Sequence, residues 1–137
     1  MATTPNSVIT PQTPVVVVGQ TITTANIAKD GTGTVVTCYT AGANGSRCDQ
    51  IYVMPTGTSV QTVLRLFVNN GGVNSTATNN AFLKDYTIPA NTLSETTSAT
   101  PITVPVGVTL PAGYKINATI GTTVAAPLAL VGTGGDL

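Results

Sequence analysis

Apolar and polar residues alternate with a period of two along most of this chain, and no stretch carries helical periodicity with caps. The cleanest alternation runs from Ile102 to Leu110, where Ile102, Val104, Val106, Val108 and Leu110 share one face. Thr103, Pro105, Gly107 and Thr109 take the other, and the outward Pro105 suits an edge or bulge position. After Pro111-Ala112-Gly113, Tyr114, Ile116, Ala118 and Ile120 alternate with Lys115, Asn117 and Thr119. Pairing Leu110 with Tyr114 sets Val108 beside Ile116 and Val106 beside Ala118, so this region is expected to form a hairpin.

The longest strand-like run is Ser59 to Asn70. Val60, Leu64, Leu66 and Val68 fall on one face and Val63, Arg65 and Phe67 on the other, so both faces are expected to be covered. Arg65 stands alone in it, and a buried cation needs a partner. The next run, Phe82 to Ile88, carries Asp85. Folding the two runs about Asn74–Ser75 brings Arg65 opposite Asp85, a structural ion pair.

Upstream, Val15 to Val18 is a continuous apolar run, and Gly19 marks a bend or bulge before Thr21 to Ile27. Asp30-Gly31 signals a turn, and Thr34 to Ala41 reads as a strand. Asn44-Gly45 then predicts a hairpin to Cys48–Met54, whose apolar parity slips between Cys48 and Ile51. That slip marks a bulge or a strand buried on both sides. The polar stretch Ala90 to Pro101 predicts a crossing between sheets. A last run, Val124 to Val131, closes the domain, and Gly132 to Leu137 trails off.

About eight short strands with regular turns predict an all-β, jelly-roll-like antiparallel β-sandwich. An immunoglobulin-like fold lacks its Trp and its widely spaced Cys pair here. Residues 14–137 form one domain. Residues 1–13 read as an extended N-terminal arm, with Pro5 and Pro11 flanking Val8 and Ile9, which are expected to dock on a neighbouring subunit.

Composition narrows the function. Charged residues make up 7% of the 137 and the net charge is zero, which gives no electrostatic footprint for nucleic acid or an anionic membrane. With little charge to keep copies apart, the chain is expected to work assembled. The N-terminal segment lacks the basic start and apolar core of a secretion signal, so synthesis in the cytosol without export by the general secretory route is expected. There is no His, and the five acids (Asp30, Asp49, Asp85, Glu95, Asp136) are scattered. No nucleophile–base set can be assembled, so no enzyme and no cofactor are expected.

Two residue sets invite a chemical reading. Cys38 and Cys48 could bridge only in a three-residue-turn register about Ala43, and a reducing cytosol favours buried free thiols. Two thiols without His also fall short of a metal set. Lys29-Asp30-Gly31-Thr32-Gly33 lacks the Lys-Ser/Thr ending of a phosphate loop and reads as a tight turn.

The run Ala28 to Arg47, with Ile51, Thr56-Gly57-Thr58, Val63 to Gly71, Leu110 to Ile116 and the closing Gly134-Gly135-Asp136-Leu137, resembles small β-rich virion proteins of tailed bacteriophages, similar to capsid decoration (cement) proteins. The resemblance implies a jelly-roll-like homotrimer on the outer surface of the virion. There it would bind the major capsid protein at subunit junctions and clamp the expanded shell. The alternative is a receptor- or glycan-binding module of a tail fibre or baseplate. That role needs an exposed aromatic or polar pocket, and Tyr39, Tyr52, Tyr86 and Tyr114 are the tyrosines available for one.

Overall fold

The computed structural model describes residues 11–137. Eight strands carry the fold: β1 (Thr13–Ile22), β2 (Val36–Thr40), β3 (Ser46–Pro55), β4 (Thr62–Asn69), β5 (Asn80–Ile88), β6 (Ile102–Leu110), β7 (Lys115–Ile120) and β8 (Leu128–Asp136). They form two four-stranded antiparallel sheets, a front sheet in the order β1-β8-β3-β6 and a back sheet in the order β2-β7-β4-β5. The pairs nest outward from one hairpin: β4 with β5, β3 with β6, β2 with β7, β1 with β8. One long antiparallel ribbon, turned at residues 70–79 and rolled up, gives this arrangement. It is a jelly roll.

The nesting corrects two expectations. Consecutive strands β2 and β3 lie in different sheets, and so do β6 and β7, so neither forms the hairpin that its turn residues suggest. Leu110 pairs with Ser46 rather than Tyr114, and Val108 with Cys48. The apolar faces of β6 and β7 do meet, but across the core. Turn chemistry specified a reversal without specifying which sheet receives the next strand.

The third correction concerns the glycine-rich end. Far from trailing off, residues 132–136 continue β8, the strand held between β1 and β3. Gly132 and Gly134 are required there by close approach. A Cβ on Gly132 would sit 2.2 Å from the Cys38 carbonyl oxygen, and one on Gly134 would sit 2.0 Å from that of Arg47. A fourth correction is at β1, which ends at Ile22, so that residues 23–35 are not a strand.

Other expectations hold. Gly19 lies in a bulge within β1, where the register to β8 slips between Val17 and Gln20. The parity slip after Cys48 is likewise a bulge, shared by both neighbours of β3. Pro105 is exposed on β6, an edge strand, opposite Gln50 just past that bulge. The interior between the sheets is filled by side chains such as Tyr39, Ile51, Leu64, Leu66, Ile116, Ile120, Leu128 and Leu130, all essentially inaccessible. Lys84 Nζ closes the open side by donating to the Pro105 carbonyl at 2.6 Å, linking edge strands β5 and β6.

Candidate functional site

The outer surfaces of the two sheets differ, and the difference starts with residues 23–35. This strap leaves β1 and is tied beside the end of β7, where Asn26 N donates to the Ile120 carbonyl at 2.9 Å. It then crosses to the β4–β5 loop, where Asn74 Nδ2 donates to the Gly33 carbonyl at 2.7 Å and to that of Gly31 at 3.3 Å. Asn80 and Asn69 continue the lacing: Asn80 Nδ2 donates to the Asn74 carbonyl, and Asn69 Nδ2 to Asn80 Oδ1, each at 2.8 Å. Asparagine suits this work because one amide can satisfy backbone groups that no strand reaches.

Beneath the strap, residues that point away from the core are nevertheless buried. Phe67, Asn69, Asn117 and Thr119 belong to the outward parity of β4 and β7, yet none is more than 3% exposed. Phe67 stacks at a tilt on Phe82, with centroids 5.0 Å apart. The expectation that the central strand is covered on both faces therefore holds.

The front sheet has no such cover among the described residues. Its outward rows run Val16–Thr133–Gln50–Pro105, then Val131–Tyr52–Thr103, then Thr21–Ala129–Met54. Val16 is 60% exposed, Val18 in the neighbouring bulge 70%, and Tyr52 and Met54 about 40%. No charged side chain stands in these rows. Arg47 and Asp49 at one end pair with each other at 3.0 Å. A solvent-facing sheet ordinarily carries polar residues on its outer parity; here Thr133, Gln50, Thr103 and Thr21 share that parity with exposed valine, tyrosine and methionine.

Arg65 and Asp85 are cross-strand partners, as the fold-back about Asn74–Ser75 requires. The ion pair expected between them does not form, and Arg47–Asp49 is the salt bridge found among the described residues. The reason lies at Gly121, beyond β7 and away from β5. A Cβ there would lie 3.2 Å from Arg65 Nη1, so the guanidinium occupies the space that glycine leaves free. Arg65 Nε and Nη1 are sealed from solvent without a hydrogen-bond partner, while Asp85 is exposed. Val8 and Ile9, the expected arm contacts, lie outside the described residues.

Cys38 and Cys48 are free and fully buried, one in each sheet, so neither hairpin register considered for them applies. Burial pushes both thiols up to about 12, with smaller upward contributions from coupling to the Cys48 thiol for Cys38 and from the Asp49 carboxylate for Cys48. Such thiols stay protonated and are poor nucleophiles. Tyr39, also buried, is raised by loss of solvation. Residues 29–33 form a tight turn in which Asp30 accepts from the Thr32 backbone and hydroxyl. Those bonds lower the Asp30 carboxyl from its ordinary value. No group of three His, Cys, Asp or Glu that could hold a metal occurs among the described residues.

The sequence reading missed the front face, although its signal was present. Four consecutive valines in β1 must place some outward, and Tyr52 and Met54 share the outward parity of β3. No protein-family model matches the chain, and no curated protein and no solved structure matches it.

Proposed function

We propose that this protein is a non-enzymatic structural virion protein, a decoration or cement protein that binds the assembled head at subunit junctions as a homotrimer. The observation that carries the reading is the outer face of the front sheet, which carries no charge in its central rows and leaves Val16, Val18, Tyr52 and Met54 in solvent. A surface of that kind works by contact and has no use for reacting groups. The resemblance to phage decoration proteins supplies the setting, and the jelly roll is compatible with it.

The mechanism follows from magnitudes. A stable interface buries roughly 800 Å² per partner, whereas the largest apolar patch on an ordinary monomer is about 300–600 Å². One copy therefore binds weakly through this face. Trimerisation converts three weak contacts into avidity, which can exceed single-site affinity by about 10²–10⁴-fold. Each copy adds area across a subunit junction, and the shell resists heat and expansion stress accordingly.

The test is to mix purified protein with empty expanded heads and locate bound density by electron microscopy. Density at threefold or quasi-threefold junctions is expected, together with a higher thermal disruption temperature for the decorated heads. Binding to tails and not to heads would overturn the proposal and establish the tail-module alternative. No aromatic residue lines the roomiest cleft found, about 450 Å³ beside Ser59 and Asn91, so a stacking sugar site is not evident there.

A further inference from the structure

The lower end of the strapped face holds a cleft of about 260 Å³ between the strap, the β4–β5 loop and the outer surface of β7. Its floor is built by the sheet register. Lys115 and Asn117, two apart on β7, stand side by side on the outward parity, with Thr37 of β2 opposite Asn117 and Asn69 of β4 opposite Lys115. Val35 walls one side and residues 71–74 wall the other.

The donors of this floor are incompletely used. Asn69 is consumed, since its Oδ1 accepts from Gly71 N and its Nδ2 donates to Asn80. Asn117 is not. Its Oδ1 accepts from the Thr37 hydroxyl at 2.9 Å, but no described residue accepts from its Nδ2. The side chain is 97% buried by the complement of its 3% exposure, and the nitrogen is not among the atoms sealed from solvent, so it opens on the cleft. A donor on so deeply buried a side chain, open only on the cleft, is available to an acceptor held there. Lys115 is the one charged residue lining the cleft, and no described carboxylate pairs with it. Where one lysine and one amide donor line the same small cleft and no carboxylate lines it, the complementary group is an anion with two acceptor oxygens.

We infer that this cleft binds a single carboxylate carried on a group the size of one sugar ring or one acidic side chain. The volume sets the size, because pockets for larger organic ligands run to about 300–1,000 Å³. Lys115 Nζ neutralises the charge, Asn117 Nδ2 fixes the orientation, and the Asn74-held strap keeps the wall in place. The site is independent of the front face, so it stands or falls apart from the decoration reading.

Nuclear magnetic resonance titration of the ¹⁵N-labelled protein tests it, with the Asn117 side-chain amide and the Lys115 backbone amide as reporters. The acidic probes are sodium glucuronate and N-acetylglutamate N-methylamide. Glucose and N-acetylglutamine N-methylamide are their neutral counterparts. Saturable shifts are expected with an acidic probe and not with its neutral counterpart, and Lys115→Gln should weaken the response by about tenfold. Response to glucuronate assigns the carboxylate to an acidic sugar, and response to the glutamate derivative assigns it to a protein side chain. Asn117→Asp keeps the side-chain shape while removing the donors, and should abolish binding. Should Asn117→Asp fail to fold, Lys115→Gln, at a partly exposed position, still decides. Absence of saturation with both acids, equal response to the neutral probes, or an unchanged response in Lys115→Gln would overturn the inference.

Discussion

The two outer faces of this sandwich differ in how the outward residues of their central strands are covered, although each side leaves some apolar residues exposed, Ile27 and Phe82 on the strapped side among them. The back face spends a strap, an asparagine lacework and an aromatic pair on covering its outward residues, and Phe67 there is fully buried. The front face leaves Val16, Val18, Tyr52 and Met54 in solvent. A sheet covered on both sides contributes to the stability of its own fold. One covered on a single side keeps apolar area available for something else. The faces thus separate two jobs that composition alone merges, since both draw on the same valines, threonines and aromatics.

Substitution is the sharpest way to break this contrast. Phe67→Ala removes a buried ring from the strapped face and should cost about 3–5 kcal/mol in denaturant unfolding. Tyr52→Ser on the open face should stay within about 0.5 kcal/mol while weakening self-association or head binding. Equal losses at both positions would erase the distinction.

The second measure concerns the interior that both faces share. Cys38 and Cys48 have folded values raised to about 12 from an ordinary value of 9.0, so between those limits the unfolded chain gives up its thiol protons first. Stability contributed by the buried thiols is therefore full below pH 9 and is lost as pH rises toward 12. A decline of about 3 kcal/mol by pH 10 is expected from the two together, seen as a falling denaturation midpoint. A Cys38→Ala, Cys48→Ala double variant should lose that component of the slope.

Asn74→Ala addresses the strap directly. It removes the donor to Gly31 and Gly33 and should cost about 1–2 kcal/mol, with faster amide exchange at residues 26–35 and unchanged exchange in β3 and β8. The smallest effect belongs to Asp85. Asp85→Ala should change stability by less than about 0.5 kcal/mol, because this exposed carboxylate forms no salt bridge among the described residues. Arg65→Met should be neutral or stabilising, because it takes two buried, unpartnered nitrogens out of the fold. Matched losses at Arg65 and Asp85 would restore the ion pair.

Much of the fold was legible in the sequence, and the failures have identifiable causes. Alternation located the strands, Gly19 and the Cys48 slip located the bulges, and the Arg65–Asp85 register came out right because a single loop separates β4 from β5. Asn44-Gly45 and Pro111-Ala112-Gly113 misled because local turn preference does not record which sheet a strand joins. Gly132 to Gly135 misled more deeply. Glycine is a poor strand former by propensity, and only the Cys38 and Arg47 carbonyls crowding β8 make it the required residue. The carboxylate cleft was hidden because Lys115 and Asn117 read as ordinary outward polar positions. Their burial depends on a strap whose path is set by Asn74, a residue far away in sequence.

The nested ribbon also sets a schedule for biosynthesis. Among the described residues β1 pairs only with β8, joining Thr13 to Asp136, so the first of the eight strands to be made waits for the last. At ordinary elongation rates that interval is on the order of ten seconds, during which Val15 to Val18 lack their sheet. Intervening strands can meet sooner, beginning with β4 and β5, but the front sheet cannot close until β8 is synthesised. The valine run that stays exposed in the folded protein is, for those seconds, an unguarded strand for which chaperones and neighbouring nascent chains would compete.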